Sequence, residues 1–243
     1  IRDAARETDT RIVVFSEYGL SEVSSPVHLN RQFRKEGWLE VRNGPFGEQL
    51  DVPQSEVVAA ADHQVAHVYV RNADLLPAAK SLLEDTDGVG EVWGEPKKAE
   101  NGLDHPRAGE LVALAEPDAW FTYYFWFDDD RAPDYARTVD IHSKPGYDPV
   151  EMFVDPSITS PMLKAGWTLL RKKLGFRYRM DLTPLDASLI EGSHGIPPAT
   201  PEEGPVLITE GLDPPEDPAM TDLKPWLLEQ YRETSQGPDL NRG

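Results

Sequence analysis

Four apolar residues in succession, Ile12-Val13-Val14-Phe15, run without alternation and stop at Ser16-Glu17-Tyr18-Gly19. An unbroken β-branched and aromatic run of this length is how a strand buried on both faces of a parallel sheet reads. It is the feature that most constrains the fold. A glycine at 19 lets the chain turn away from the strand. In open α/β sheets ligands bind outside the carboxyl ends of the strands. Glu17 therefore stands where such a fold keeps its chemistry. The plainer alternative is a strand-end turn carrying a solvated carboxylate.

The segments that follow support an α/β organisation. Val27 to Gly37 reads as a short helix, and Trp38–Val41 and Val57–Ala61 read as strands around a Gly/Pro-rich loop. His63 to Tyr69 alternates, with Val65, His67 and Tyr69 on one side and Ala66, Val68 and Val70 on the other. Leu75–Leu83 predicts a helix. Val89–Trp93 and Glu110–Glu116 predict strands, the second one buried. Residues 62–118 thus read as a small α/β unit inserted into a larger sheet. The aromatic block from Trp120 to Phe127 reads as core. Asp128-Asp129-Asp130 lacks the spacing and glycine of a calcium loop and reads as a solvated acidic turn. Residues 138–156 form a long polar loop whose aromatic residues argue for order. Met162–Leu174 predicts a helix stopped by Gly175, Arg177–Leu182 a short strand, and Pro205–Ile208 a last core strand. Two regions are expected: 1–213 as the main domain, and 214–243 as an acidic, Pro-rich tail with a short docked helix at Leu223–Tyr231.

Composition narrows the partners. With 43 Asp and Glu against 24 Lys and Arg, the net charge is −19. Such a surface repels duplex nucleic acid and anionic membranes at long range. A small anionic substrate stays possible, because a bound metal inverts the local field. No run approaches the length of a membrane span. The chain contains no cysteine. That removes thiolate nucleophiles and cysteine zinc sites, and leans toward a cytoplasmic setting. Any metal must sit on His, Asp, Glu or Tyr. The opening Ile-Arg-Asp-Ala-Ala-Arg reads like the interior of a helix, so the chain is expected to begin partway through a larger fold or to have been processed.

Gly192-Ser193-His194-Gly195 is the second signal. Glycines on either side of an imidazole let it be aimed without a helix to hold it. Taken together, strand–Ser16-Glu17-Tyr18-Gly19, the α/β unit, Glu110-Leu-Val-Ala-Leu-Ala-Glu116, Gly192-Ser193-His194-Gly195 and Gly204-Pro-Val-Leu-Ile208 resemble the C-terminal half of the alkaline phosphatase superfamily. The nearest branch is that of the nucleotide pyrophosphatases/phosphodiesterases. The resemblance covers most of residues 8–211. It implies an alkaline-phosphatase-like fold, a mixed, mostly parallel sheet sandwiched by helices. It also implies a hydrolase of phosphodiester or nucleotide pyrophosphate bonds with two divalent metal ions, zinc first, manganese or iron where carboxylates dominate. In that family a strand ends in Ser-Asp-His-Gly, whose Asp and His bind one zinc, and a later Gly-x-His-Gly serves the second. By resemblance Glu17 stands at the Asp position and His194 at the later His.

This chain departs from the pattern in two places. Tyr18 occupies the position of the family's first histidine, and a phenol with a pKa of about 10 is a poor neutral ligand. His142, in Asp140-Ile141-His142, is the candidate replacement by ligand arithmetic. His28 is a weaker substitute, and Asp140 and Tyr147 are possible supporting or substrate contacts. The family's nucleophile, a Thr or Ser at a helix start, is expected in a companion segment N-terminal to this chain. Neither Thr159-Ser160 nor Ser24-Ser25 has the needed context. Two metals about 4 Å apart would hold the attacking and leaving oxygens of an in-line displacement at phosphorus.

Other histidines read as structure. His63 and His67 share a strand face but stand roughly 13 Å apart along it. His63, at the strand start, is a candidate neighbour of the site, and His67 a buried, hydrogen-bonded residue. His105 and Arg107 belong to a loop. Two alternatives compete with the hydrolase reading. One is a binding or scaffold protein that keeps the fold without the nucleophile. The other is a single-metal hydrolase of another ester or a phosphonate.

Overall fold

The computed structural model describes residues 1–8, 10–140, 143–216 and 218–235. In chain order its elements are α1 (Arg2–Glu7), β1 (Ile12–Phe15), β2 (Ser21–Glu22), β3 (Ser25–Val27), α2 (Leu29–Lys35), β4 (Val41–Gly44), β5 (Gly47–Leu50), β6 (Val57–Asp62), β7 (Val65–Val70), α3 (Leu76–Glu84), β8 (Val89–Trp93), α4 (Lys97–Glu100), β9 (Leu111–Ala115), β10 (Ala119–Phe121), α5 (Pro161–Lys173), β11 (Gly192–Ser193), β12 (Leu207–Glu210) and α6 (Met220–Ser235). The chain divides into two compact units. One comprises residues 1–19 with 198–243, the other residues 20–197.

In the first unit β1 pairs with β12, antiparallel, with Ile12 opposite Glu210 and Phe15 opposite Leu207. This corrects the reading of β1 as a strand buried on both faces of a parallel sheet. Among the described residues it has a single partner, and Val14 and Phe15 are 53% and 50% exposed. An unbroken apolar run records only that both faces tolerate burial; it carries no information on what covers them. The helix expected in the tail is present as α6, which buries Leu223 and Trp226.

The second unit is organised on a four-stranded sheet in the order β6-β7-β9-β8, all neighbours antiparallel. The expected alternation holds: Ala66, Val68 and Val70 are buried, while Val65, His67 and Tyr69 face outward or lie half-exposed. β9 is buried along its whole length, as its unbroken apolar sequence predicts. The sheet begins at Val57, so most of β6 lies ahead of the expected 62–118 unit. Among the described residues one strand pair is parallel, β3 with β10. Leu29 and Phe33 of α2, with Trp120, Phe121, Tyr123, Tyr124, Phe125 and Trp126, complete the core.

A sheet edge leaves N–H and C=O groups unpaired, and here three separate segments cover the outer edge of β6. The Trp38 carbonyl accepts from the Glu56 and Val57 amides, so Trp38 caps an edge instead of starting the strand expected at 38–41. Buried Asn30 imitates a strand: its Nδ2 donates to the Ala59 carbonyl at 2.9 Å and its Oδ1 accepts from the Ala59 amide at 2.8 Å. The Tyr147 amide donates to the Ala61 carbonyl at 3.0 Å. The helix predicted over 162–174 is α5, followed by Gly175. The strand expected at 177–182 is reduced, among the described residues, to one bridge between Thr138 and Asp181.

Candidate functional site

The second unit gathers three rings at the end of the β6–β7 hairpin. Asp62 pairs with Val65, so His63 and Gln64 form a two-residue loop. Loops of this length favour glycine or asparagine at their first position, because φ is positive there. His63 occupies it with φ +58°, and among the described residues it is the one non-glycine with positive φ. A left-handed residue with a Cβ is costly, and such costs collect at functional sites.

The His63 ring is held on three sides. Its Nδ1 donates to Asp62 Oδ1 at 2.7 Å. Its plane stacks on Tyr147 with centroids 4.2 Å apart and meets His194 at 3.8 Å. The backbone clasps the same segments: the Gln64 amide donates to the His194 carbonyl at 3.0 Å, and the Phe121 amide to the His63 carbonyl at 2.7 Å. Two glycines permit this approach. A Cβ on Gly146 would lie 2.9 Å from the Ala61 carbonyl oxygen, and Gly195 has φ +129° with Val65 and Gln64 against it. The 143–152 segment carrying Tyr147 is anchored from below. Lys144, buried, pairs with Asp148 at 2.8 Å and with Glu151 at 2.5 Å. Burial pushes the Asp148 carboxyl up, and Lys144 opposes that shift.

Asp62 is held below the usual carboxylate range, chiefly by the hydrogen bond from His63 and further by the nearby imidazoles of His63, His194 and His67; partial burial works against the shift. Two buried polar atoms on residues adjacent in sequence to His63 and His194, Gln64 Oε1 and Ser193 Oγ, find no hydrogen-bond partner among the described residues, and Gln64 Nε2 donates to the Pro117 and Ala119 carbonyls.

The sequence-predicted residues fall as follows. His194 follows β11, half-buried, within the cluster. His63, expected as a neighbour of the site, touches it directly. Glu17 and Tyr18 lie after β1 in the first unit and are exposed. There the Ser16 amide donates to the Val206 carbonyl, and Ser16 Oγ accepts from the Val206 amide at 2.9 Å. Glu17 and His194 therefore belong to different units, each described by itself. His142 lies outside the described residues. His28 is engaged elsewhere: its Nδ1 shares a 2.6 Å hydrogen bond with Thr122 Oγ1 and its ring stacks on Tyr124. Burial, aided by Arg31 and Lys35, pushes its pKa down to about 4. Asp62 is the residue sequence reasoning missed. The available signal was a two-residue hairpin loop, His63-Gln64, that lacks the glycine its geometry favours.

The donor set has a clear limit. Among the described residues, no group of three or more His, Cys, Asp or Glu side chains is arranged to hold a metal ion. Asp62, His63 and His194 stand together, but one carboxylate oxygen is taken by the His63 ring and the two imidazoles lie against each other. These residues alone do not make a metal centre.

The family assignment comes from residues 1–148, more than half of the chain. The family model described as type I phosphodiesterase / nucleotide pyrophosphatase matches residues 1–148. The chain belongs to this family. The match contains both Glu17 and the Asp62–His63 hairpin and ends at Asp148, ahead of His194. Among solved structures the chain is similar to a phosphonoacetate hydrolase from Sinorhizobium meliloti 1021 in complex with phosphonoformate, at 14% identity over 51% of this chain and 31% of that one, with a TM-score of 0.36. It is also similar to murine ectonucleotide pyrophosphatase / phosphodiesterase 5, at 13% identity over 52% of this chain and 31% of that one, with a TM-score of 0.34. The chain thus spans about a third of the length of these structures. No curated protein matches it.

Proposed function

We propose that the chain forms part of a metal-dependent hydrolase of phosphodiester or nucleotide pyrophosphate bonds, with the His63–His194 cluster at its reaction centre. The observation that carries the reading is convergence. The imidazole that family resemblance assigns to a metal, His194, lies against His63, the strained hairpin residue that a carboxylate and a tyrosine ring hold. A divalent ion, zinc first and manganese or iron as alternatives, would supply Lewis acidity at the phosphorus when bound.

The chain's own residues have narrower tasks. His194 presents an imidazole from a glycine-flanked loop. Asp62 fixes the tautomer and direction of His63, which braces His194 on one side, with Tyr147 on the far side of His63. Glu17, His142 and His194 are the proposed ligands. Because the described residues do not complete a metal centre, the remaining ligands and the Thr or Ser nucleophile are assigned to a companion segment. That segment would also complete the mostly parallel sheet. The substrate is a small anionic phosphate ester, and the setting is cytoplasmic.

The test is metal content together with turnover of a bis-nitrophenyl phosphodiester, the monoester, a carboxylic ester and a phosphonate, in the protein together with its companion segment, as wild type, Glu17→Ala and His194→Ala. The reading expects bound metal and diester turnover, both lost in the two variants. Carboxylic ester or phosphonate turnover with a single ion per chain points to the single-metal alternative. A metal-free protein indifferent to both substitutions overturns the hydrolase reading in favour of the scaffold alternative, which Tyr18 and the incomplete donor set favour.

A further inference from the structure

Helix α5 is turned inside out. Its half-buried positions are Pro161, Ala165 and Thr168, one stripe at i, i+4 and i+7. The opposite stripe, Leu163, Trp167, Leu170 and Leu174, continues just past the helix and faces solvent, with Leu163 75% and Trp167 62% exposed. Met162 and Leu169 flank that stripe and are also exposed. No residue of the helix is buried. By contrast α2 and α3 in the same unit bury Leu29, Phe33, Ala79 and Leu83.

The charge on this segment is reversed as well. Residues 156–180 contain Lys164, Arg171, Lys172, Lys173, Arg177 and Arg179 and no Asp or Glu, in a chain whose net charge is −19. Arg177 and Arg179 answer Asp134. Lys164, Arg171, Lys172 and Lys173 form no ion pair among the described residues. Lys164 and Arg171 flank the apolar stripe on one side and Lys173 on the other, while Lys172 lies over the Tyr178 ring.

We propose that α5 is a docking helix that lies in the surface of an anionic lipid bilayer. An apolar face of Leu, Met and Trp bordered by Lys and Arg matches the layered chemistry of that surface, acyl chains below and anionic headgroups beside them. The helix has 13 residues, about 20 Å at 1.5 Å per residue, which suits lying in the plane. Pairing of this face with the same face on a second copy would set like cations against one another. The expectation that the chain avoids anionic membranes rests on its net charge. That repulsion is screened beyond about 10 Å at ordinary ionic strength, so the local cations govern contact.

The test is co-sedimentation of the full chain with vesicles of phosphatidylcholine alone or with about one-third phosphatidylglycerol, followed by Trp fluorescence. The inference expects binding to the anionic vesicles only, a blue shift lost in Trp167→Phe, and release by salt. Each basic residue near such a surface changes partitioning roughly fivefold. Lys164→Glu combined with Arg171→Glu should therefore weaken binding by more than about 25-fold. Leu163→Gln with Leu170→Gln should abolish the blue shift while leaving unfolding by urea unchanged, since these side chains are exposed. Equal binding to both vesicle types, or none, overturns the inference. So does a concentration-dependent dimer abolished by Leu170→Glu without vesicle binding, which would assign the face to a second copy. Vesicle binding by this chain that is lost when the companion segment is present would also overturn it, assigning the face to that segment.

Discussion

Replacing His63 by glycine should separate the stability of the hairpin from its function. The left-handed backbone at His63, φ +58°, costs a residue with a Cβ about 1–2 kcal/mol. Glycine removes that cost but raises the entropy of the unfolded chain by about 0.5–1 kcal/mol. It also forfeits two ring contacts, with Tyr147 and with His194, each worth about 0.5–1.5 kcal/mol. The hydrogen bond to Asp62 ends on an exposed carboxylate, 73% open to solvent, and adds little. The terms largely offset one another, so His63→Gly should unfold in urea within about 2 kcal/mol of wild type. Diester turnover should nevertheless fall by at least tenfold, because His194 has lost the ring that braces it. An ordinary core aromatic behaves in the opposite way, losing about 3–5 kcal/mol on truncation. Destabilisation of that size, with turnover per folded molecule unchanged, would refute the assignment of His63 to the site.

Three further outcomes follow from the packing. His28, neutral when folded with a pKa of about 4, takes up a proton near 6.5 once unfolded. Between those values the unfolded chain binds more protons, so stability is intact above pH 6.5 and falls by up to about 3 kcal/mol on acidification toward pH 4. Urea titrations of wild type and His28→Gln across that range should differ in slope, the variant being flatter. Asn30→Ala strips both backbone partners from buried Ala59 and should cost about 2–4 kcal/mol, with amide exchange at Ala59 accelerating. Lys144→Met leaves buried Asp148 and half-buried Glu151 without their cation. A loss of about 3–5 kcal/mol is expected at neutral pH, shrinking as acid neutralises the carboxylates.

Local pattern was enough for much of the second unit. The 63–69 alternation, the buried run at 110–116 and the aromatic block need only the periodicity of side chains along a strand and the drive to bury apolar surface. Where the reading failed, the missing information was non-local. Ile12–Phe15 looks the same whether one strand or two lie beside it. Nothing near Trp38 in the chain reveals that the Glu56 and Val57 amides will take its carbonyl.

The candidate site divides along the same line. His194 is conspicuous in the chain because glycines flank it, and Glu17 because a polar residue ends an apolar run; both are local marks. That His194 lies against His63, which also meets Asp62 and Tyr147, depends on a hairpin, a glycine-permitted approach and a loop anchored by Lys144. Residue types and their spacing determined which chemistry this chain can carry. Only closure of segments 50 to 130 positions apart decided which side chains share it, because contact between them is a property of the folded backbone and of no stretch taken alone.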